Sequence, residues 1–349
     1  MIIVINRGER ILKNKTPLVL LVMLTVILLL AACGNAGSNT PANADSSNAQ
    51  SAANTSNNTE TAASNEQFAT REITHALGKT TIEGAPERIV TLFQGATDTL
   101  VQFGVTPVGV VESWAQQPMY EYLIDKLPDV TYVGLETQPN LEEISKLNPD
   151  LIIATLIRHE EIYEQLSLIA PTVVTEILYD FHETADIIGQ SIGAEEQAES
   201  LIADWEARVA DFNSKMAQVE GWPLSASVVN FREDHARIYF TGFAGSILKE
   251  LGFRGPKNIE GDDQDIIRLT DKESIPSMNA DVTFEFFEDN EAVKKTHEEW
   301  TSHPLYQNLD SVKNNQVTVV DQITWNYAGG LQSAHMMLDS LYTHFGLEQ

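Results

Sequence analysis

One amphipathic stretch near the middle of the chain, residues 194–216, most constrains how this sequence can fold. Its apolar residues recur at steps of three or four, and they are Ala194, Ala198, Leu201, Ile202, Trp205, Val209, Phe212 and Met216. That spacing predicts a single α-helix of roughly 35 Å, about the width of a domain. Stretches of similar size flank it, so the helix is either a core element or a strut that joins two lobes.

A motif that occurs twice favours the strut. The first copy runs from Glu142 to Leu151, and the second, which begins 131 residues later, runs from Glu273 to Val282. Six positions match in kind at one spacing, and each copy is typical of a helix followed by a strand. Chance likeness between helix–strand junctions is the alternative to two related lobes.

Short strands and helices alternate on both sides of the long helix, which predicts an α/β fold. We expect two α/β lobes, each with a central and mainly parallel sheet, and a ligand cleft between them. Ligands of such sheets bind beyond the carboxyl ends of the strands. In the first lobe that rule indicates Phe93 with Gln94, Ser113 with Trp114, and Arg158 with His159.

The first 32 residues have the layout of a secretory signal, because basic residues precede an apolar run from Pro17 to Ala32. The run ends in Leu-Ala-Ala-Cys-Gly at 30–34, which resembles the lipobox of bacterial lipoproteins, whose cysteine is lipidated. Cys33 is the only cysteine in the sequence, so an anchor fits it better than a disulfide framework. A stray or buried cysteine behind an ordinary signal peptide is the alternative.

The predicted organisation follows from these features. We predict a signal peptide at 1–32, a lipidated cysteine with a disordered tether at 33–67, an N-terminal lobe at 68–182, linking helices at 183–221 and a C-terminal lobe at 222–349. The tether is rich in small and polar residues that cannot build a core. We expect an extracytoplasmic protein that the lipid on Cys33 holds to the cell membrane, with no other covalent group.

The net charge excludes one class of partner. The chain carries −28, and removal of residues 1–32 would bring it to −31. Such a surface repels phosphate backbones, so nucleic acid is not expected as a partner.

Several short motifs occur in a characteristic order behind the lipobox. They are Ala85-Pro86-Glu87-Arg88-Ile89-Val90, Ala96-Thr97-Asp98, Gly104 to Val110, Pro139 to Ile144, Asn148 to Ile152, Ile169 to Val173 and Trp325 to Gly330. Over roughly residues 70–346 the chain resembles the ferric-siderophore-binding lipoproteins of ABC importers. The resemblance implies two α/β lobes joined by one long helix, with the ligand between them.

A ligand of this kind is anionic, and its iron is already saturated by its own oxygens. The protein then needs no metal ligands of its own, but cationic forks and flat aromatic faces. The candidates are Arg158, Arg232, Trp114, Trp325 and Tyr327, which follow predicted strands, and Arg237 and Tyr239, which stand close behind Arg232. Surface ion pairing of the arginines and core packing of the aromatics are the alternatives, and His159 is expected to be a structural neighbour. We expect a citrate- or hydroxamate-type siderophore.

The resemblance also implies a role for the repeated motif. In that family a glutamate at this position of each lobe pairs with arginines of the membrane subunits, and Glu142 and Glu273 fall on it. We therefore expect both to dock a monomeric binding protein onto the permease of an ABC importer. Stabilisation of their own helix N-termini is the simpler explanation.

Other functions remain open at this point. The sequence contains no dinucleotide fingerprint, phosphate-binding loop, His-Glu-x-x-His or Gly-x-Ser-x-Gly motif, so we do not expect an enzyme. A secreted hydrolase is the alternative of another class. Haem and cobalamin binders of the same fold are closer alternatives, and a binder of bare metal ions would need clustered histidines and carboxylates.

Overall fold

The computed structural model describes residues 3–4, 70–259 and 266–349. The predicted cleavage point, Cys33 and the tether lie outside this described part. Its first element is a two-residue strand, β1 (Ile3–Val4), which pairs antiparallel with a strand of the second lobe. No helix among the described residues combines the length and the hydropathy needed to cross a bilayer.

The N-terminal lobe begins with an antiparallel hairpin, followed by alternating strands and helices. Its elements are β2 (Arg71–His75), β3 (Gly78–Ile82), β4 (Ile89–Thr91), α1 (Gln94–Gln102), β5 (Gly109–Glu112), α2 (Glu121–Ile124), β6 (Thr131–Leu135), β7 (Gln138–Pro139), α3 (Leu141–Lys146), β8 (Leu151–Thr155), α4 (Leu156–His159), a 3₁₀ turn (Glu160–Ile162), α5 (Tyr163–Ser167) and β9 (Thr172–Thr175). The sheet order is β7-β6-β5-β4-β8-β9, and all its pairings are parallel except β6 with β7.

Two helices connect the lobes. The carboxylate of Asp180 caps the start of α6 (Phe181–Ile192), and Gly193 ends it in the left-handed conformation with φ of 72°. That turn leads directly into α7 (Glu195–Met216), the long helix that the apolar spacing predicts.

The C-terminal lobe has a mixed sheet. Its elements are β10 (Ala226–Phe231), β11 (Ala236–Tyr239), α8 (Gly242–Glu250), β12 (Ile266–Leu269), a 3₁₀ helix (Lys272–Met278), β13 (Val282–Phe287), α9 (Glu291–Thr301), α10 (Pro304–Gln307), α11 (Asp310–Lys313), β14 (Val317–Val319), a π-helix (Ile323–Tyr327) and α12 (Leu331–Phe345). In the order β1-β12-β11-β10-β13-β14, only β10, β13 and β14 run parallel, so the expectation of a mainly parallel sheet is wrong for this lobe. A tight hairpin joins β10 to β11, and a connection that short requires antiparallel pairing.

The long helix α7 contributes to the cores of both lobes. Ala198 packs among buried residues of the first lobe, whereas Trp205, Phe212 and Met216 pack in the core of the second. The indole of Trp205 is fully buried and donates to the Glu250 carboxylate of α8 at 2.7 Å. The predicted two-lobed α/β fold with one long inter-lobe helix is therefore confirmed.

The repeated motif has the same structural role in both lobes. Asp150 accepts hydrogen bonds of 2.9 Å from the backbone N–H groups of Glu87 and Arg88, just before β4. Asp281 accepts at 2.8 Å from the N–H of Ser225, just before β10. In each lobe this carboxylate connects the start of the strand that follows the motif, β8 or β13, to the start of its parallel neighbour in the sheet, β4 or β10.

The last helix begins on a carboxylate of the other lobe. Asp98 of α1 is fully buried, and it accepts from the N–H groups of Gln332 and Ser333 in the first turn of α12, at 2.7 and 3.0 Å. The hydroxyl of Tyr122 donates to the same carboxylate at 2.5 Å. A Cβ atom at Gly330 would collide with Asp98, so the close approach of the two lobes requires glycine there. This contact connects the lobes independently of α7.

Candidate ligand-binding cleft

The carboxyl edge of the first sheet carries a buried carboxylate beside an arginine and a tryptophan. Trp114, Glu136 and Arg158 follow β5, β6 and β8, and parallel strands bring their ends to the same edge. The Nε of Arg158 lies 3.2 Å from Oε1 of Glu136, and its guanidinium carbon lies 5.8 Å from the centre of the Trp114 ring. Trp114 is 44% exposed, so this edge presents a cation beside an open aromatic face.

Glu136 is held firmly in place. Only 3% of its side chain is exposed, and the backbone N–H of Gln94 donates to Oε2 at 3.2 Å. Burial raises the pKa of the Glu136 carboxyl, and the bonds from Gln94 and Arg158 act in the opposite direction. Because its neighbours supply donors to both oxygens, the carboxylate orients Arg158 by a fixed contact.

His159 fixes the backbone of the same loop. Its Nε2 lies 3.0 Å from the Glu136 carbonyl oxygen, and the N–H of Thr155 donates to its Nδ1 at 3.1 Å. Burial lowers the pKa of His159 to about 4, so the ring is neutral at pH 7 and donates through Nε2. The prediction that His159 is a structural neighbour is confirmed.

The carboxyl edge of the second sheet carries a similar pair. Arg232 follows β10 and Glu288 follows β13, and the two strands end side by side with Phe231 opposite Phe287. The Nη1 of Arg232 lies 2.9 Å from Oε1 of Glu288, which is 48% exposed. The hydroxyl of Tyr327 donates to the same oxygen at 3.3 Å.

Tyr179 lies between the two edges. The loop after β9 carries its ring against Gly242 and Gly329 of the second lobe, where a Cβ atom on Gly329 would lie 3.0 Å from Cδ1 of Tyr179. Burial raises the pKa of Tyr179; Glu136, Tyr239 and Tyr327 raise it further, and Arg158 lowers it. Groups of both lobes therefore act on this one ring, which lies where the two lobes meet.

Two predicted residues take other positions. Trp325 is wrong as a cleft residue, because its indole is 1% exposed, packs 4.7 Å from the Phe284 ring centre and donates to Ser340. Arg237 is half-buried on β11, and its Nε donates to the His235 ring at 3.0 Å. Its neighbour two positions along, Tyr239, packs on Phe286 with ring centres 5.8 Å apart.

The sequence reasoning missed Glu136, Glu288 and Tyr179. The rule on strand ends could have found both glutamates, since they follow β6 and β13. An anionic ligand, however, predicts cationic partners, so the sequence alone gives no reason to expect carboxylates at the same edge.

The predicted docking residues lie at exposed starts of helical segments. Glu142 is in the first turn of α3, where its side chain is 78% exposed and pairs with Lys146 at 2.9 Å. Glu273 is exposed in the first turn of the 3₁₀ helix 272–278. The side chains of Asn140 and Asp271 cap these two helical segments, so the capping residue before the repeated motif is also matched between the lobes.

Within the part of the chain that the structure describes, no group of three or more histidine, cysteine or acidic side chains is placed to hold a metal ion.

Comparison with known proteins shows the family. The model of the periplasmic binding protein family matches residues 89–324, which is more than half of the chain. This chain belongs to the periplasmic binding protein family. The family is one of binding proteins, and the resemblance inferred from the sequence motifs is thereby confirmed.

Individual relatives of this binding protein agree with that assignment. It is 43% identical to the achromobactin-binding periplasmic protein of Dickeya dadantii over 260 residues, which cover 73% of this chain and 85% of the relative. It is 36% identical to the probable siderophore-binding lipoprotein YfiY of Bacillus subtilis over 337 residues, or 93% and 97% of the two chains. The structure of Staphylococcus aureus SirA complexed with staphyloferrin B matches with a TM-score of 0.76 and 50% identity, over 79% of this chain and 99% of that one.

Proposed function

We propose that this binding protein captures an anionic ferric siderophore outside the cell and delivers it to an ABC importer. Of the two ligand types expected from the sequence, the citrate type is favoured over the hydroxamate type. One relative supports a ligand of the citrate type, since it is 33% identical to this chain and is named for binding Fe(3+)-citrate.

One observation carries the proposal: the carboxyl edge of each sheet presents an arginine beside an aromatic ring. Arg158 stands over Trp114 on one edge, and Arg232 stands beside Tyr327 on the other. Guanidinium groups match carboxylates with two parallel hydrogen bonds, whereas a neutral hydroxamate complex gains little from them. The chain as a whole carries a net charge of −28, so an arginine on each of the two facing edges gives the cleft a local attraction for anions.

The proposed capture needs no protein ligand to iron. A chelate whose oxygens fill the iron coordination shell presents carboxylates and apolar faces to the cleft. Arg158 and Arg232 would hold the carboxylates from opposite sides, while Trp114, Tyr239 and Tyr327 cover the chelate. We expect small movements of the lobes, because α7 is one continuous helix that packs into both cores.

Delivery would depend on three further residues. We propose that the lipid on Cys33 keeps the protein at the membrane, and relatives named as lipoproteins support this. We propose that Glu142 and Glu273 dock one monomer onto the permease. Their exposure at matching positions of the two lobes supports this role, because a two-fold permease needs one anchor on each lobe.

The test is a titration of purified protein with ferric citrate, ferric staphyloferrin B, a ferric hydroxamate, haem and cobalamin. Trp114 is half exposed in the cleft, so quenching of tryptophan fluorescence reports occupancy. Arg158→Ala and Arg232→Ala should each weaken binding of the ferric carboxylates by roughly ten- to a hundredfold, about 1.5–3 kcal/mol.

Arg254→Ala is the matched control. Arg254 is exposed beside the amino end of β10, at the opposite edge of the sheet from Arg232. Its replacement removes the same charge and should leave affinity unchanged. Unchanged affinity in both cleft variants, or preference of the wild-type protein for haem or cobalamin, would overturn the proposal.

A further inference from the structure

The two cleft arginines have carboxylate partners that differ in mobility. Glu136 is 3% exposed; the backbone N–H of Gln94 holds its side chain, and the His159 ring holds its carbonyl oxygen. Glu288 is 48% exposed and is held by the side chains of Arg232, Tyr327 and Asn290, the last at 3.5 Å. Glu136 therefore cannot leave Arg158, whereas Glu288 can rotate into solvent.

Glu288 stands in the position that a bound anion needs. It follows β13 directly and meets Arg232 across the neighbouring strand end, at the edge where parallel sheets bind ligands. Its Oε1 accepts hydrogen bonds from both the Nη1–H of Arg232 and the hydroxyl of Tyr327. Two donors that converge on one carboxylate oxygen would serve a carboxylate of the ligand equally well.

An anion that entered beside Glu288 would meet a like charge. Two carboxylates that compete for the same Nη1 and Tyr327 donors repel each other, and the repulsion grows as a bound chelate excludes water from this edge. The pair with Arg232 is too exposed to contribute much, so breaking it costs little. Displacement of Glu288 is consequently easier than sharing Arg232.

We propose that Glu288 is an internal counter-ion that occupies Arg232 in the empty cleft and is displaced by a carboxylate of the ferric chelate. Glu136 acts differently, as a positioning residue that stays paired with Arg158 when the ligand binds. This inference rests on the proposed function. It predicts that the empty cleft is partly self-neutralised, and that only an anion able to engage both arginines displaces Glu288 efficiently.

The test compares Glu288→Gln with the wild-type protein in titrations with ferric citrate and ferric staphyloferrin B at fixed ionic strength. Glutamine keeps the shape and acceptor but loses the charge, so the variant should bind about two- to fivefold more tightly. Glu136→Gln should instead bind more weakly, because Arg158 loses the charged partner that orients it.

Two further variants separate displacement from a general change of charge. Glu291→Gln removes one carboxylate nearby, at the start of α9, where the Glu291 side chain is 99% exposed and pairs with Lys294 at 4.0 Å. It should leave affinity unchanged. In the Arg232→Ala background, Glu288→Gln should give no gain, because the contested cation is absent.

The outcomes are distinct. The inference is wrong if Glu288→Gln binds no more tightly than wild type, if Glu291→Gln gives the same gain, or if the gain persists without Arg232. Failure of the wild-type protein to bind any ferric carboxylate would remove the proposed function, and this inference with it. Tight wild-type binding with an unchanged Glu288→Gln variant would remove the inference alone.

Discussion

Replacing Asp98 with asparagine would show which of two opposing effects controls the carboxylate buried between the lobes. Hydrogen bonds from Tyr122, Gln332 and Ser333, together with the start of α12, favour the charged form. Burial favours the neutral acid and is the larger effect, so the pKa of Asp98 rises from 3.8 to about 6.

The raised pKa makes stability depend on pH with a definite sign. Between these two values the folded protein holds a proton on Asp98 that the unfolded chain has released. The resulting stabilisation is complete below pH 3.8 and is lost as the pH rises through about 6. At pH 5, one pH unit below the folded pKa, it amounts to about 1.4 kcal/mol relative to pH 8.

The assay is urea unfolding of the wild-type protein and Asp98→Asn between pH 5 and pH 8. Asparagine does not titrate, so the wild-type advantage in free energy of unfolding should be about 1.4 kcal/mol larger at pH 5 than at pH 8. Asp125→Asn, at an exposed position, controls for the loss of one carboxylate. A pH-independent difference, or an advantage that grows towards pH 8, would show that the hydrogen bonds and the helix start outweigh burial.

Two other predictions concern the membrane. Cys33→Ser should release the protein into the medium or block its processing, and fractionation of membranes checks this; unchanged membrane association would refute lipid attachment at Cys33. Glu142→Ala/Glu273→Ala should keep thermal stability and siderophore affinity but abolish uptake by cells that carry only this variant. Normal uptake, or loss of ligand binding by the purified variant, would contradict a docking role.

The sequence was most informative where a pattern extends over many residues. The stripe of α7 spans six turns, so its period is unmistakable and its 22 residues were predicted within one residue. The repeated motif was also informative, because its aspartate has the same role in both lobes. Asp150 and Asp281 each accept from the backbone just before a strand, β4 and β10 respectively. The positions of Arg158 and Arg232 followed from the rule on strand ends.

The sequence was least informative where a single side chain's direction decides its role. Trp325 and Tyr327 are two positions apart in a π-helix, and residues at that spacing point to different sides of a helical turn. One is therefore core and the other faces Glu288, which no periodicity of so short a segment reveals. The sequence cannot distinguish Glu136 and Glu288 from the rest of its 50 acidic residues, because their roles depend on burial and on neighbours that are distant in sequence.

The cap on α12 also determines when the first lobe can be completed. The donors from Gln332 and Ser333 reach Asp98 across 234 and 235 residues of chain, so they become available only after α12 has been synthesised. From its own lobe Asp98 receives the hydroxyl of Tyr122. The lobe that is synthesised first thus acquires its final packing only after the last helix has been made, so the order of synthesis is not the order of completion.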